Sequence, residues 1–234
     1  VMYAGAATSM ATIGAGVAAD GTTDDTYKVS YDLIRRATRK LLRNRAKKTT
    51  QIITGDVKVG TLPVAKAYYA IVGADVKADL ENQTRGSGAE AEYVFIPVHK
   101  YASAQNIAEG EIGAMHEVRF IEAEGMVVYA GEGAVPPQNY VGTLSITGAT
   151  DLTSADAADR GKFDVYPILF PTQGAFATVG LKGKDKITFH SKAPSSVDNG
   201  NPYGTRGFFS YNFFYAGLIL EEEKMLKVLV GASI

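Results

Sequence analysis

Three histidines, His99, His116 and His190, are the residues of this 234-residue chain best suited to metal binding or acid–base catalysis. They lie in unlike contexts, and no HExxH motif or other paired spacing joins any two of them. The chain has no cysteine, which excludes thiolate metal ligands and disulfides. No GxSxG or SxxK motif marks a serine nucleophile, and no carboxylate pair stands out for proton transfer. The sequence therefore predicts no catalytic residues, no metal site and no enzyme activity.

Two glycine patterns have the spacing of a turn that could hold a phosphate group. Residues 14–19 (GAGVAA) and 86–91 (GSGAEA) both match the GxGxxA form. A dinucleotide site needs a strand before this turn and a helix opening at it. Asp20-Gly21 breaks a helix after the first pattern, and the second lies in a polar stretch. We therefore predict no nucleotide cofactor at either pattern.

A third feature is the segment GEIG at residues 110–113, which precedes a predicted strand at Val118 to Glu122. Two glycines around a short acidic and apolar pair are typical of a tight turn. One interpretation is that Glu111 and Arg119 fix loop or subunit geometry. The other is an ordinary turn with a solvated arginine, and the residues alone leave both open.

A basic amphipathic segment is the most informative element of the chain. From Asp24 to Thr50 its apolar residues recur in steps of three and four, which predicts one long helix of roughly 40 Å. No acid lies between Arg35 and Lys48. That window holds eight basic residues, namely Arg35, Arg36, Arg39, Lys40, Arg43, Arg45, Lys47 and Lys48.

Charge is strongly segregated along the chain, although the formal net charge is only -1. Outside the basic window, 16 basic residues stand against 25 acidic ones. A segregated positive face suits nucleic acid or an acidic partner. It also suits a solvated helix face that pairs with acids of a neighbouring element or subunit.

The remaining pattern indicates an elongated α+β protein. Ala67 to Val72 is typical of a buried strand, and Asp75 to Glu81 of a short helix. We expect a long exposed loop from Gly131 to Arg160 and a short helix from Gly174 to Leu181. Further strands are expected at residues 126–129 and 163–170, and a strand of about fifteen residues at 206–220, where the usual length is roughly 5–6. No apolar run approaches the roughly 18 residues of a membrane span, so no membrane partner is expected.

Several segments together resemble a known family. In order they are YDLIRRATRKLLRNRAKKT, YYAIVGADVKADLEN, VHKYASAQNIAEGEIGAMHEVRFIE, FDVYPILFPTQGAFATVGL and NPYGTRGFFSYNFFYAGLILEEEKMLKV. This series, from about Tyr27 to Val230, resembles the major capsid protein of tailed bacteriophages, in the N-four-like family with the HK-ninety-seven fold. The GEIG segment with Arg119 and the NPYGTRG turn before the aromatic strand are its most specific parts.

The resemblance implies a structural protein that self-assembles into the icosahedral shell around a tailed phage's double-stranded DNA. It implies an HK-ninety-seven-type fold with a spine helix and long antiparallel strands in a peripheral domain at residues 23–66 and 183–234. It also implies a mixed α/β axial domain at residues 67–182. Residues 1–22 would be the remnant of an extended arm, with too few large apolar residues for a core and ordered by neighbouring subunits.

The implied partners are copies of the chain in pentamers and hexamers, and packaged DNA on the inner face. Decoration, portal and scaffolding proteins are further candidates. The implied location is the virion capsid, after assembly in the host bacterial cytoplasm. The eight basic residues would face the interior or a neighbouring subunit. Glu111, Arg119 and Arg206 are candidate contacts between subunits. For Arg206 we favour a charge-assisted contact with a carboxylate, and the alternative is a solvated arginine at a hairpin.

Two functions of other classes remain open from the residues alone. A DNA-binding protein could use the basic helix by itself, and it would bind DNA as a monomer in a salt-sensitive way. A small-molecule-binding enzyme could use a glycine-rich loop and a charged pocket. Formation of particles would separate both from a shell subunit.

Overall fold

The computed structural model describes residues 1–53, 61–85, 91–101, 107–180, 187–197 and 199–233. These residues form two compact units. The first unit contains Val1–Ala175 and Glu222–Ile234, and the second contains Phe176–Glu221. The second glycine pattern, at residues 86–91, lies almost entirely outside the described residues.

The described residues contain two α-helices, α1 (Tyr31–Arg43) and α2 (Ala74–Glu81). The strands are β1 (Met2–Tyr3), β2 (Thr49–Ile53), β3 (Thr61–Val72), β4 (Thr84–Arg85), β5 (Glu92–Tyr93), β6 (Ile96–Pro97), β7 (Glu111–Met115), β8 (Val118–Glu122), β9 (Ile146–Thr147), β10 (Lys162–Phe163), β11 (Tyr166–Phe170), β12 (Phe176–Gly180), β13 (Thr188–Lys192), β14 (Phe208–Asn212), β15 (Tyr215–Ile219) and β16 (Leu226–Val230). Strands thus predominate over helices, and the predicted α+β class is confirmed at this level.

An eight-stranded mixed sheet forms the centre of the first unit. Its strand order is β1-β16-β11-β3-β8-β7-β6, and β2 also pairs with β3. β3 runs parallel to β8 and β1 runs parallel to β16, whereas the other neighbours are antiparallel. β3 is buried along most of its described length, as its continuous apolar sequence predicts.

The main hydrophobic core lies between α1 and this sheet. The helix contributes Leu33, Ile34, Ala37 and Leu41, each at most 1% exposed. Their spacing of three and four residues places them on one stripe of the helix. The sheet contributes buried residues from several of its strands, among them Tyr68, Phe120, Ile168, Phe170 and Val228.

Helix α1 is shorter than its sequence pattern predicts. It starts at Tyr31, where the Ser30 side chain caps the N–H of Leu33 at 3.3 Å, and it ends at Arg43. Its 13 residues span about 20 Å. The predicted helix from Asp24 to Thr50 is therefore wrong at both ends. Asp24–Thr26 forms a single 3-10 turn, and Arg45 takes a positive φ of 54° that turns the chain towards β2.

Residues 1–22 pack against the rest of their own chain. Met2–Tyr3 pairs with β16 at the edge of the sheet. Ile13 and Val17 are buried in a second hydrophobic cluster with Tyr27 and Phe163. The expectation that neighbouring subunits alone would order this segment is therefore wrong.

Several other predicted elements are confirmed and others are wrong. The strand at 118–122 matches β8, and the helix at 75–81 matches α2. The predicted helix at 174–181 is instead strand β12, because pairing with β15 decides its conformation. Of residues 126–129, only Tyr129 makes a bridge, to Val165. The predicted strand at 163–170 divides between β10 and β11.

The loop from Gly131 to Arg160 is not wholly exposed. Tyr140 and Leu144 are only 4% exposed and belong to the second hydrophobic cluster. In its middle, β9 pairs with β10, which lies just beyond the segment, in a short two-stranded sheet. This segment therefore packs as part of the first unit and adds apolar residues to its core.

The second unit is a two-stranded ribbon made of two ladders in succession. β12 pairs with β15, and β13 pairs with β14, both antiparallel over five residues. The predicted continuous strand at 206–220 is therefore wrong, because it divides into β14 and β15. Phe213 and Phe214 lie between the two strands.

A buried hydrogen-bond network joins two distant segments of the first unit. The Tyr140 hydroxyl donates to Oδ2 of Asp24 at 2.9 Å, across 116 positions of sequence. The N–H of Thr143 donates to the same oxygen at 2.7 Å, and the N–H of Leu144 donates to the Tyr140 hydroxyl at 3.0 Å. Burial raises the pKa of Tyr140, so its hydroxyl stays protonated and able to donate.

We expect Tyr140→Phe to lower the free energy of unfolding by about 1–3 kcal/mol. The change removes one donor to a buried carboxylate and leaves the Leu144 N–H without its acceptor. Denaturant unfolding measures the loss. Tyr203→Phe is the matched control, because Tyr203 is 89% exposed. Equal unfolding midpoints for the two variants would contradict a stabilising role for the network.

Candidate functional site

The basic residues of α1 lie on the side opposite the core. Arg35, Arg36, Arg39, Lys40 and Arg43 are all exposed. At about 100° per residue, these five positions fall within an arc of about 140°. They therefore form one positive face, which we call the basic face of α1. Sequence spacing was sufficient to find this face, since the buried stripe fixes which side is exposed.

Few acids neutralise the basic face. Arg35 lies 3.8 Å from Asp32, and both side chains are about half exposed or more. An ion pair of this kind contributes about 0–1 kcal/mol. Among the described residues, no other arginine or lysine of α1 forms an ion pair closer than 4 Å. The face therefore presents nearly all of its positive charge to solvent.

Lys48 differs from the other members of the predicted basic set. Its Nζ lies 2.9 Å from Oε2 of Glu117 and 5.6 Å from the centre of the Tyr68 ring. Hydrogen bonding from Lys48 lowers the pKa of Glu117. Lys48 is thus held against the sheet, whereas Arg45 and Lys47 are exposed beyond the helix end.

Glu111 and Arg119 meet in a buried cluster within one chain. Glu111, on β7, has a fully buried side chain, and its Oε1 lies 3.0 Å from Nη1 of Arg119 on β8. The Tyr101 hydroxyl donates to Oε1 at 2.8 Å, and the Ala108 N–H donates to Oε2 at 3.0 Å. The Arg119 guanidinium also lies 5.0 Å from the Tyr101 ring centre. Glu111 therefore has three separate donors.

This cluster holds the backbone on both sides of the stretch between Tyr101 and Ala108. Arg119 is only 20% exposed in its side chain, so it is not an ordinary solvated arginine. Burial and the hydrogen bond to Glu111 raise the pKa of Tyr101. Within one chain the cluster thus joins β7 and β8 to Tyr101 and Ala108. A role of Glu111 and Arg119 between subunits stays a prediction.

Arg206 lies in a turn that the surrounding backbone defines closely. The Asn201 side-chain amide donates to the Arg206 carbonyl at 2.7 Å, and the Thr205 N–H donates to Oδ1 of Asn201 at 3.1 Å. Gly204 has a positive φ of 62°, which its lack of a side chain permits. The Arg206 side chain is exposed, and no carboxylate of the described residues forms an ion pair with it. Its role as a contact between subunits stays a prediction.

The residues first considered for catalysis do not converge. Within the described ranges, no group of three or more histidine or acidic residues could hold a metal ion. His116 sits in the turn between β7 and β8 and contacts the Tyr31 ring edge-on at 6.0 Å. In the first glycine pattern, the Gly16 N–H donates to the Tyr27 hydroxyl at 3.0 Å, so that donor is occupied within the chain. No helix of the described residues is long and apolar enough to cross a membrane.

Sequence reasoning missed three residues that lie beside Lys47 and Lys48. Lys66 and Tyr68 are on β3, and Gln173 follows β11. The alternation of Lys66 with Tyr68 on one strand was the available signal. Their meeting with the basic segment depends on β2–β3 pairing, which periodicity does not reveal.

The chain is similar to phage capsid proteins in both sequence and fold. No protein-family model matches the chain. The major capsid protein of Pseudomonas phage KPP21 is 31% identical over 231 residues, which is 95% of this chain and 51% of that protein. The chain therefore spans about half the length of the curated relative it matches.

A solved structure shows the corresponding fold. The capsid of Ralstonia phage GP4 contains a chain that matches with a TM-score of 0.56 and 14% sequence identity. The match covers all of this chain and 53% of the GP4 chain. At this identity the likeness concerns the fold. The two matches support the resemblance to phage major capsid proteins that the sequence predicts, whereas the N-four-like family and the HK-ninety-seven fold stay predictions.

Proposed function

We propose that this chain is a structural subunit of a phage capsid, which self-assembles into a shell around double-stranded DNA and carries out no catalysis. The observation that carries the proposal is the 31% identity to a phage major capsid protein over 95% of the chain. Its place would be the virion. Neither a DNA-binding monomer nor a small-molecule enzyme gains support from these comparisons.

The finer features of the proposal are an HK-ninety-seven-type architecture and assembly into pentamers and hexamers. The match to a phage capsid fold over the whole chain supports them. In this scheme α1 corresponds to a short spine helix. The peripheral domain is residues 23–66 with 183–234, the axial domain is residues 67–182, and assembly takes place in the host cytoplasm.

The apolar surface of the ribbon supports assembly. In the register of β13 with β14, Phe189 is opposite Tyr211 and Ser191 is opposite Phe209, so the three aromatic residues share one face. Phe189 and Phe209 stack with ring centres 5.9 Å apart. Each of the three aromatic residues is more than 60% exposed. Isolated two-stranded ribbons are marginal in water, and an exposed apolar patch favours burial against another chain.

We expect Phe209→Ser with Tyr211→Ser to reduce particle yield at least several-fold, because the pair supplies most of this aromatic face. Light scattering and negative-stain images of the expressed protein measure the yield. Tyr203→Ser is the control, since it removes an even more exposed ring from a turn outside the ladder. Normal particles from the double variant would count against burial of this face in the shell.

The basic face of α1 generates a second prediction. Single changes Arg35→Ala, Arg39→Ala or Arg43→Ala should be mild, because exposed charges each contribute about 0–1 kcal/mol. The triple alanine variant should assemble poorly or lose its DNA, and the difference from wild type should be largest at low salt, because screening weakens the contacts that only the wild type makes.

A triple lysine variant at the same positions is the matched control, since it keeps the charge of the basic face. Particle yield and retained DNA, measured at several salt concentrations, separate the two variants. Wild-type yield and packaging from the triple alanine variant would remove the basic face of α1 from the proposal.

A further inference from the structure

A surface groove opens beside the C-terminal end of α1. Its volume is about 460 Å³. The lining contains three lysines and no carboxylate, and consists of Leu42, Ala46, Lys47, Lys48, Thr50, Lys66, Tyr68 and Gln173. We call this the lysine groove.

Strand pairing creates the lysine groove. Thr49 pairs with Ala67 in the β2–β3 ladder. Lys48 and Thr50 flank Thr49, Lys66 and Tyr68 flank Ala67, and all four line the groove where the register of the ladder shifts. The Tyr68 hydroxyl donates to the Ala46 carbonyl at 2.9 Å, which fixes the ring beside the lysines. The groove is thus part of a well-packed element.

The three lysines of the groove have different roles. Lys48 is held by Glu117 and the Tyr68 ring. Lys47 and Lys66 are exposed, and neither forms an ion pair with a carboxylate of the described residues. Glu117 is paired with Lys48 beside the groove, with 2.9 Å between Nζ and Oε2. The groove therefore has positive charge from two exposed ammonium groups that no carboxylate of the described residues pairs.

We propose that the lysine groove binds phosphate groups of a double-stranded DNA backbone, an inference that rests on the proposed function as a capsid subunit. Lysine, threonine and glutamine side chains are usual phosphate contacts in protein–DNA interfaces. Thr50 and Gln173 supply neutral donors beside the lysines. Such contacts position the DNA without reading its sequence.

The charge pattern favours DNA over an acidic protein segment. The basic window from Arg35 to Lys48 runs directly into the groove and contains eight cations. The longest acidic run of the chain, Glu221–Glu223, has three residues. Its last member already lies at the helix end, where the Asn44 side chain donates to the Glu223 carbonyl at 2.7 Å. An acidic run in a second copy would therefore match only a small part of the positive surface, whereas DNA supplies continuous negative charge.

The test measures DNA binding by the intact 234-residue chain. Fluorescence anisotropy of a labelled short duplex gives the affinity between about 50 and 200 mM salt. The variant Lys47→Gln with Lys66→Gln removes the two unpaired cations and leaves the Lys48–Glu117 pair intact. The matched control is Lys100→Gln with Lys162→Gln, which removes equal charge at two exposed positions outside the groove.

We expect the groove variant to reduce the magnitude of the slope of log affinity against log salt concentration by about two. At 0.1 M salt it should bind the duplex more than about tenfold more weakly than the wild type. The control pair should keep the wild-type slope. Lys66→Gln alone should reduce the magnitude of this slope by about one. This single variant replaces the double variant in the test if the double variant does not fold. Thermal unfolding establishes that each variant is folded.

Equal slopes for the groove variant and the control pair would overturn the inference. It would also be overturned if a labelled oligoglutamate lost affinity for the groove variant while the DNA did not, since the occupant would then be an acidic segment. Light scattering separates these results from the proposed function. Particles with unchanged DNA slopes contradict only the groove, whereas a wild-type protein that forms no particles contradicts the capsid proposal itself.

Discussion

The pairing of β11 with β16 is the contact on which the rest of this structure depends. Tyr166–Phe170 and Leu226–Val230 pair over five residues, although 55 residues separate the two strands in sequence. β16 is also the partner of β1, and it is buried under α1. In sequence the ribbon lies between β11 and β16. One ladder therefore closes the core of the first unit and orders the first residues of the chain.

Burial of one side of α1 determines on which side of the helix the basic residues lie. Once Leu33, Ile34, Ala37 and Leu41 face the sheet, the arginines and lysines between them can only point outward. The helix then ends at Arg43, and the turn at Arg45 directs Lys47 and Lys48 onto β2 and the sheet. The same constraint that builds the core thus places the basic face and the lysine groove next to each other.

The sequence predicted the elements that depend on local pattern. The apolar run of β3 and the stripe of α1 were identified because periodicity and burial coincide there. The boundaries of α1 were not, because Tyr27 fits the helical spacing but packs in the second hydrophobic cluster. The sequence predicts a helix at β12, because only pairing with the distant β15 favours a strand there. Likewise, the sequence identifies the basic residues themselves. It does not predict the Lys48–Glu117 pair, because the two residues lie 69 positions apart.

The two units differ in which side chains they bury. In the first unit, polar groups such as Asp24 and Glu111 are buried and hydrogen-bonded, which makes each loop conformation specific to one set of donors. In the second, aromatic side chains remain exposed on a ribbon that has little core of its own. A protein that acted alone would be expected to bury those rings. A ribbon with exposed aromatic rings is instead suited to a subunit whose folding is completed by contact with its neighbours.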